Sequence, residues 1–173
     1  MQKRFLGKVY TFKIKGRKSK ISGFVLSYND DWILIKRCAD YSYDGYTIFK
    51  NENVEFEHEE FEKRITNILK LKNEYPPKLP KIKIDSLDDI LKSISNKYKL
   101  IQLDFKDGES FDVLTYLGKT DSNYLFDELT TNAKWRYKLK LSENECRVIS
   151  FDNDYLNSLK LITRFKKSHM VIR

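Results

Sequence analysis

Carboxylates and tyrosines are concentrated in one short stretch of the chain, residues 28–49, which reads YNDDWILIKRCADYSYDGYTIF. Its aspartates, Asp30, Asp31, Asp40 and Asp44, are of a residue type that binds divalent cations or transfers protons. The apolar run WILI between the two pairs is typical of a strand, which would hold the pairs roughly 20 Å apart. Two carboxylates rarely hold a cation by themselves. We therefore predict that these acids form turns and that the stretch contains no metal site.

The turn interpretation has a consequence for substitutions. Asn and Asp tolerate left-handed backbone geometry, so we expect Asn29-Asp30-Asp31 to be a turn and residues 38–45 to be a loop with a corner at Asp44-Gly45. Replacing Asp30 by Asn or Gly should then change stability by less than about 1 kcal/mol. Tyr46 precedes an apolar strand and is predicted to lie in the core.

Two tyrosines of the predicted loop, Tyr41 and Tyr43, leave two interpretations open. Exposed aromatic rings on a loop can stack on bases or grip a peptide. The same rings can also simply pack the loop against the body of the protein.

Other residues that could take part in catalysis or bind a metal are few. Cys38, Cys146, His58 and His169 lie far apart, so zinc-ligand spacing is absent, and two reduced thiols are expected. His58 lies among acids and is expected to be solvated. The sequence contains no G-x-S-x-G, P-loop or G-x-G-x-x-G motif. We predict a non-enzymatic protein without a metal or cofactor.

Positive charge is concentrated at the two ends of the chain. Residues 1–20 hold eight Lys and Arg and no acid, and residues 155–173 hold five and no acid, in a chain of net charge +8. Basic strands of small barrels supply phosphate contacts. We predict one water-facing surface that binds nucleic acid, consisting of Lys13, Lys15, Arg17, Lys18 and Lys20.

The elements that would position these residues come in two similar sets. KVYTFKIK (8–15) and KLIQLDFK (99–106) alternate apolar and polar residues in the same phase, at an offset of 91 residues. At this offset Leu26 corresponds to Leu117 and Tyr46 to Tyr137. Each set reads as five short strands, in the first at about 7–15, 20–28, 32–37, 45–49 and 53–57. The predicted first turns are Gly16–Ser19 and the strong hairpin signal Asp107-Gly108.

Between the two sets, residues 74–84 hold all three prolines and read as a stiff linker. Apolar positions of helical spacing predict amphipathic helices at about 59–71 and 86–96. Two stretches, VLSYNDDWILIKR with DGYTIF, and YKLKLSENECRVISFDNDYLNSLKLI, resemble short bacterial proteins built from SH3-like or Sm-like repeats. The resemblance covers both sets but not the basic tail, and it implies a fold without an activity.

The predicted architecture is mainly β: two tandem five-stranded SH3-like or Sm-like barrels joined by the proline linker and a short helix. The predicted segments are 1–72 for the first barrel with its closing helix, 73–97 for the linker, and 98–173 for the second barrel with a basic tail.

Two functions fit this description. The first is RNA or DNA binding through the basic face of the first barrel. The second is a protein-interaction module, such as an adaptor, a toxin-neutralising partner or a counter-defence protein. No apolar run reaches membrane-spanning length. We expect a cytoplasmic protein with no membrane partner.

Overall fold

The computed structural model describes residues 6–52, 54–104 and 110–170. The architecture is mainly β with three α-helices among these residues. The first five strands are β1 (Val9–Ile14), β2 (Ile21–Tyr28), β3 (Trp32–Ala39), β4 (Ser42–Lys50) and β5 (Val54–Glu57). The next five are β6 (Ile101–Asp104), β7 (Phe111–Lys119), β8 (Tyr124–Leu129), β9 (Trp135–Leu141) and β10 (Val148–Phe151). The helices are α1 (Glu60–Leu71), α2 (Leu87–Tyr98) and α3 (Asp154–Met170).

All ten strands belong to one antiparallel sheet, in the order β5-β1-β2-β3-β4-β10-β6-β7-β8-β9. The sheet is open, with β5 and β9 at its ends, and it runs without interruption from the first predicted barrel into the second. The sheet has two halves, the first made of β1–β5 and the second of β6–β10. β4 and β10 form the junction between them, with Phe49 opposite Val148 and Tyr46 opposite Phe151. The mainly β prediction is confirmed at this level.

The two halves of the sheet have the same internal order. Phe12 on β1 lies between Ile21 of β2 and Phe56 of β5, and Leu103 on β6 lies between the corresponding residues of β7 and β10. Both side chains are fully buried. A β-bulge falls at Leu26 in β2 and at Leu117 in β7, again 91 residues apart.

The offset of 91 residues ends after the third strand of each half. Ile35 pairs with Thr47, whereas Phe126, its counterpart at this offset, pairs with Leu139. Thr47 and Leu139 are 92 residues apart, so the correspondence of Tyr46 with Tyr137 was wrong by one position. The exposure of the two side chains agrees with this correction, because Tyr46 is buried, as predicted, and Tyr137 is 73% exposed.

Two helices cover corresponding outer faces of the sheet. Ile65 and Leu69 of α1 pack on Val9, Phe24 and Cys38 of the first three strands. In the second half, α3 packs on β7 and β8 through Leu156 and Leu159. The basic end of the chain, residues 155–173, was predicted as a tail, but its described part, up to residue 170, belongs to the helix α3. No helix among the described residues has the length and apolarity needed to cross a lipid bilayer.

The helix α2 contributes to a core that both halves share. Ser86 begins it as the N-cap, with its Oγ accepting from the backbone N–H of Asp89 at 3.1 Å. The buried face of α2 packs against side chains of β3 and β4 and against the interior of the second half. This face consists of Leu87, Ile90, Leu91, Ile94 and Tyr98.

Candidate nucleic-acid interface

The connection between β1 and β2 contains most of the predicted binding residues. Phe12 and Ile14 of β1 point into the first half, so the intervening Lys13 is exposed. The backbone N–H of Arg17 donates to the carbonyl of Ile14 at 3.0 Å, and Gly16 supplies the positive φ of 79° that the turn requires. The predicted turn at Gly16–Ser19 is confirmed. The corresponding turn at Asp107-Gly108 lies outside the described residues.

Two of the five predicted cations are already paired with acids of β5. Lys13 Nζ lies 3.2 Å from Glu55, and Lys20 Nζ lies 2.7 Å from Glu57. The hydrogen bond that Lys20 donates to Glu57 and the charges of nearby acids raise the pKa of Lys20. Exposed pairs of this kind stabilise a fold little and can exchange partners. Lys13 and Lys20 are therefore partly neutralised where they lie.

Arg17 does not face water. Its guanidinium contacts the carboxylate of Asp104 on β6, and the two side chains are only 15% and 8% exposed. Burial, and then the nearby charge of Arg37, lowers the pKa of Arg17. The expectation that all five cations are directed to solvent was wrong here, because the turn reaches across the junction onto the second half.

The other two predicted residues, Lys15 and Lys18, are exposed. Lys15 lines a groove of about 460 Å³, and we call this groove the hairpin groove. Its lining residues are Ile14, Lys15, Gly16, Lys50, Glu52, Asn144 and Arg147. Three cations and one carboxylate therefore surround it.

Lys50 and Arg147 were not singled out from the sequence. Lys50 ends β4; its Nζ lies 3.3 Å from Glu143 and 5.6 Å from the centre of the Trp32 ring. Arg147 immediately precedes β10, and its guanidinium donates to the backbone carbonyl of Lys15. These residues come from separate segments that meet only because β4 pairs with β10. No local sequence signal indicates this meeting.

The charge of the surface changes from positive to negative beyond Lys50. A second groove, of about 310 Å³, is lined by Lys50 and Lys119 together with six carboxylates. These belong to Asp30, Asp31, Glu52, Asp85, Asp88 and Glu143. The hairpin groove is therefore lined mainly by cations and this second groove mainly by carboxylates.

Tyr41 and Tyr43 lie on a tight hairpin between β3 and β4 rather than on a loop. β3 continues to Ala39 and β4 begins at Ser42, so the predicted loop at residues 38–45 was wrong. Tyr41 is 37% exposed, its ring lies 6.4 Å from that of Phe61 on α1, and its carbonyl accepts from Lys72. The hydroxyl of Tyr43 is buried, and burial raises its pKa. Both tyrosines thus contact the body of the protein.

Each of the four aspartates of residues 28–49 lies in a turn or accepts a hydrogen bond from the backbone. Asp30 and Asp31 form the predicted turn, in which Asn29 Oδ1 accepts from the backbone N–H groups of Asp31 and Trp32 at 2.9 and 2.7 Å. Asp40 has a φ of 53° in the tight hairpin. Asp44 Oδ1 accepts from the backbone N–H of Asp154 at 2.9 Å, at the start of α3. Among the described residues, no group of three or more His, Cys, Asp or Glu could hold a metal ion.

The described thiols and His58 show no arrangement for nucleophilic chemistry. Cys38 and Cys146 are buried free thiols, and burial raises the pKa of each to about 12. His58 is half-buried rather than solvated, and its Nδ1–H donates to the carbonyl of Val9 at 2.7 Å. His169 lies in the terminal part of α3, where only the backbone is described.

No family model, curated protein or solved structure matches this chain.

Proposed function

We propose that this protein binds the phosphate backbone of RNA or DNA in the hairpin groove. The observation that carries the proposal is the convergence of Lys15, Lys50 and Arg147 on one groove that contains a single carboxylate, Glu52. Charge of this density attracts phosphates whatever the base sequence. Lys13, beside the turn, and Lys18, on it, are exposed but do not line the groove.

The chemistry of the groove favours the backbone over the bases. None of its lining residues is aromatic, so base stacking does not contribute there. Contacts made to phosphates alone position a nucleic acid without reading its sequence. We therefore expect weak sequence preference and a strong dependence of affinity on salt.

A salt titration tests this directly. Fluorescence anisotropy of labelled single-stranded RNA and DNA should give a slope of log K against log salt of roughly −2, since three phosphates are neutralised. In Lys15→Gln/Lys50→Gln the slope should shrink to about −0.7, because only one groove cation remains.

Two control variants separate the groove from general charge. Lys81→Gln/Lys83→Gln removes the same charge from exposed positions of the linker and should bind as the unaltered protein does. Lys13→Gln/Lys20→Gln removes two cations that do not line the groove, and it should weaken binding less than the groove variant does. No binding to any RNA or DNA at low salt, or equal binding by the groove variant, would overturn the proposal.

A protein-interaction module is the second candidate. It is favoured by aromatic side chains exposed on the outer strands of the sheet, since Phe56 on β5 is 50% exposed and Tyr137 on β9 is 73% exposed. Failure of the nucleic-acid experiment would make this the leading function.

We also infer that each half of the sheet is a small barrel of the SH3-like or Sm-like type. The common strand order, the matching bulge and a separate apolar cluster inside the first half support this. When the two halves are superposed in a crystal structure, Phe12 should coincide with Leu103 and the third strands should be in register. Unrelated backbone curvature in the two halves would contradict it.

A further inference from the structure

The position of Lys15 depends on the turn between β1 and β2. Neither the pairing of β1 with β2 nor its pairing with β5 extends to Lys15. The other two cations of the hairpin groove, Lys50 and Arg147, are held together by strand pairing, since the backbone N–H of Lys50 donates to the carbonyl of Arg147 at 3.3 Å. Whether all three cations can contact one phosphate backbone is therefore decided by where the turn lies.

The side chain of Arg17 holds the turn in two directions. Its Nε–H donates to the backbone carbonyl of Ser19 at 3.1 Å, which closes the turn on itself. Its guanidinium also contacts the carboxylate of Asp104, on β6, and both side chains are largely removed from solvent. The turn is thus fixed against the second half of the sheet, the half to which β10 belongs.

A second contact brings the turn against the second half. The guanidinium of Arg147 donates to the backbone carbonyl of Lys15, and the side chain of Lys15 lines the hairpin groove. Arg17 does not line this groove. Any effect of Arg17 on a ligand there, apart from that of its charge, therefore passes through the residues whose positions it fixes.

We propose that Arg17, paired with Asp104, is a positioning residue that holds Lys15 beside Lys50 and Arg147 for phosphate binding. The inference rests on the proposed function, because it concerns the same groove. A buried ion pair suits this task, because loss of either partner leaves the other charge buried and unpaired, at a high cost in free energy. The remaining charge regains water only if the turn moves away from β6, and Lys15 then leaves the groove.

Two substitutions of Asp104 separate positioning from overall charge. Asp104→Asn and Asp104→Leu both remove one negative charge, so overall charge alone would strengthen phosphate binding equally in both. Asn keeps an oxygen that accepts from Arg17, whereas Leu has no acceptor. We expect Asp104→Asn to bind labelled single-stranded RNA and DNA at least as tightly as the unaltered protein does. Asp104→Leu should bind roughly fivefold to tenfold more weakly at about 50 mM salt, with a slope of roughly −1.4, since one of three groove cations is lost.

Substitutions of two adjacent turn residues provide a second test. Arg17→Gln and Lys18→Gln each remove one positive charge, and neither residue lines the hairpin groove. Lys18 is exposed, so salt screens its charge and its loss should change the affinity by less than about twofold. Arg17→Gln should weaken binding as much as Asp104→Leu does. Circular dichroism melts identify any variant that fails to fold, and this pair decides the question if Asp104→Leu is unfolded.

A nuclear magnetic resonance measurement reports the position of the turn without a ligand. The Nε–H of Arg17 should exchange slowly with water in the unaltered protein and in Asp104→Asn, because it donates to Ser19 and is largely removed from solvent. In Asp104→Leu it should exchange fast. If the ion pair served stability alone, Asp104→Leu would lower the midpoint of thermal unfolding but leave both this signal and the salt slope unchanged.

The outcomes distinguish this inference from the proposed function. Absence of binding by the unaltered protein at low salt would overturn both. If the unaltered protein binds with the expected salt dependence, equal affinity of folded Asp104→Leu and Asp104→Asn would overturn the positioning role alone. Equal affinity of Arg17→Gln and Lys18→Gln would do the same.

Discussion

At two turns of this protein, a single side chain accepts hydrogen bonds from backbone N–H groups of the turn. Asn29 accepts two backbone N–H groups through Oδ1, and its Nδ2 donates to the carbonyl of Ile84 in the linker at 2.6 Å. In the second half, Thr120 occupies the same place, and its Oγ1 accepts from the backbone N–H of Asn123 at 3.2 Å. Different residue types therefore perform the same task at equivalent turns.

Asn29 and Asp30 are adjacent but should respond differently to substitution. We expect Asn29→Ala to lower the free energy of unfolding by about 1–2 kcal/mol, because it removes both acceptor contacts and the link to the linker. Asp30→Asn should change it by less than about 1 kcal/mol, because the Asp30 side chain is exposed. Urea unfolding measures both, and an equal loss in the two variants would contradict the turn assignment.

Glu62 makes the stability of α1 depend on pH. The side chain is 3% exposed; burial raises its pKa, but the hydrogen bonds from Thr11 Oγ1, at 2.6 Å, and from the backbone outweigh burial and lower it overall. The ordinary value is 4.5, and a folded pKa below this means that the stability is present above pH 4.5. It is lost as pH falls through the lowered value.

Glu62→Gln should therefore flatten the acid limb of the stability curve. The amide can still accept from Thr11 and does not titrate, so the variant should lose less free energy of unfolding than the unaltered protein between neutral and acidic pH. Thermal melts over a pH series measure this difference. Parallel curves for the two proteins would show that the Glu62 carboxylate is not the group that titrates.

At the scale of elements, close backbone approach decides which glycines are required. Gly45 lies in β4 with a φ of 69°, and a Cβ there would meet the carbonyl oxygen of Phe151 at 2.6 Å and the backbone nitrogen of Asn153 at 2.7 Å. Gly7 has a similar φ of 78°, but a Cβ would have nothing within 4 Å. Both glycines thus have a backbone conformation that favours glycine, but only Gly45 lacks room for a side chain.

This pair separates conformational strain from crowding. Gly7→Ala should cost about 1–2 kcal/mol, from the left-handed backbone alone. Gly45→Ala should cost about 2–5 kcal/mol, since the clash with the connection between β10 and α3 adds to that strain. Equal losses in chemical denaturation would mean that this connection moves away freely.

At the scale of the whole molecule, the shared core couples the two halves. Trp32, Leu34 and Ile48 of the first half pack in the same cluster as α2 and the interior of the second half. Arg17 adds a buried ionic contact to Asp104 across the same junction. Neither half can lose its structure without exposing apolar surface of the other.

The chain should therefore unfold as one cooperative unit. Each half contains one tryptophan, Trp32 and Trp135, so Trp135→Phe and Trp32→Phe variants report the halves separately by fluorescence. The two transitions should coincide in urea. Leu91→Ala in α2 should shift both by the same amount, about 2–5 kcal/mol. Separate midpoints would show that the halves are independent domains.

The sequence by itself determined the local elements. Alternating residues in β1 and helical spacing at 60–71 and 87–98 were sufficient to locate these segments, because side-chain direction repeats every two residues in strands and every 3.6 in helices. The turn at Asn29 was equally readable, because its hydrogen bonds join neighbouring residues. The predicted loop at 38–45 failed because the twist and bulge of a hairpin have only a weak local signal.

Only the tertiary structure decided how these elements meet. The pairing of β4 with β10 joins residues about a hundred positions apart, such as Phe49 and Val148, and its free energy depends on contacts absent from either segment alone. That one junction turns two sets of strands into a continuous sheet, buries Arg17 against Asp104, and brings Arg147 and Lys50 beside Lys15. The sequence shows which residues are cationic, but burial and ion pairing in the folded chain determine which of them can face a ligand.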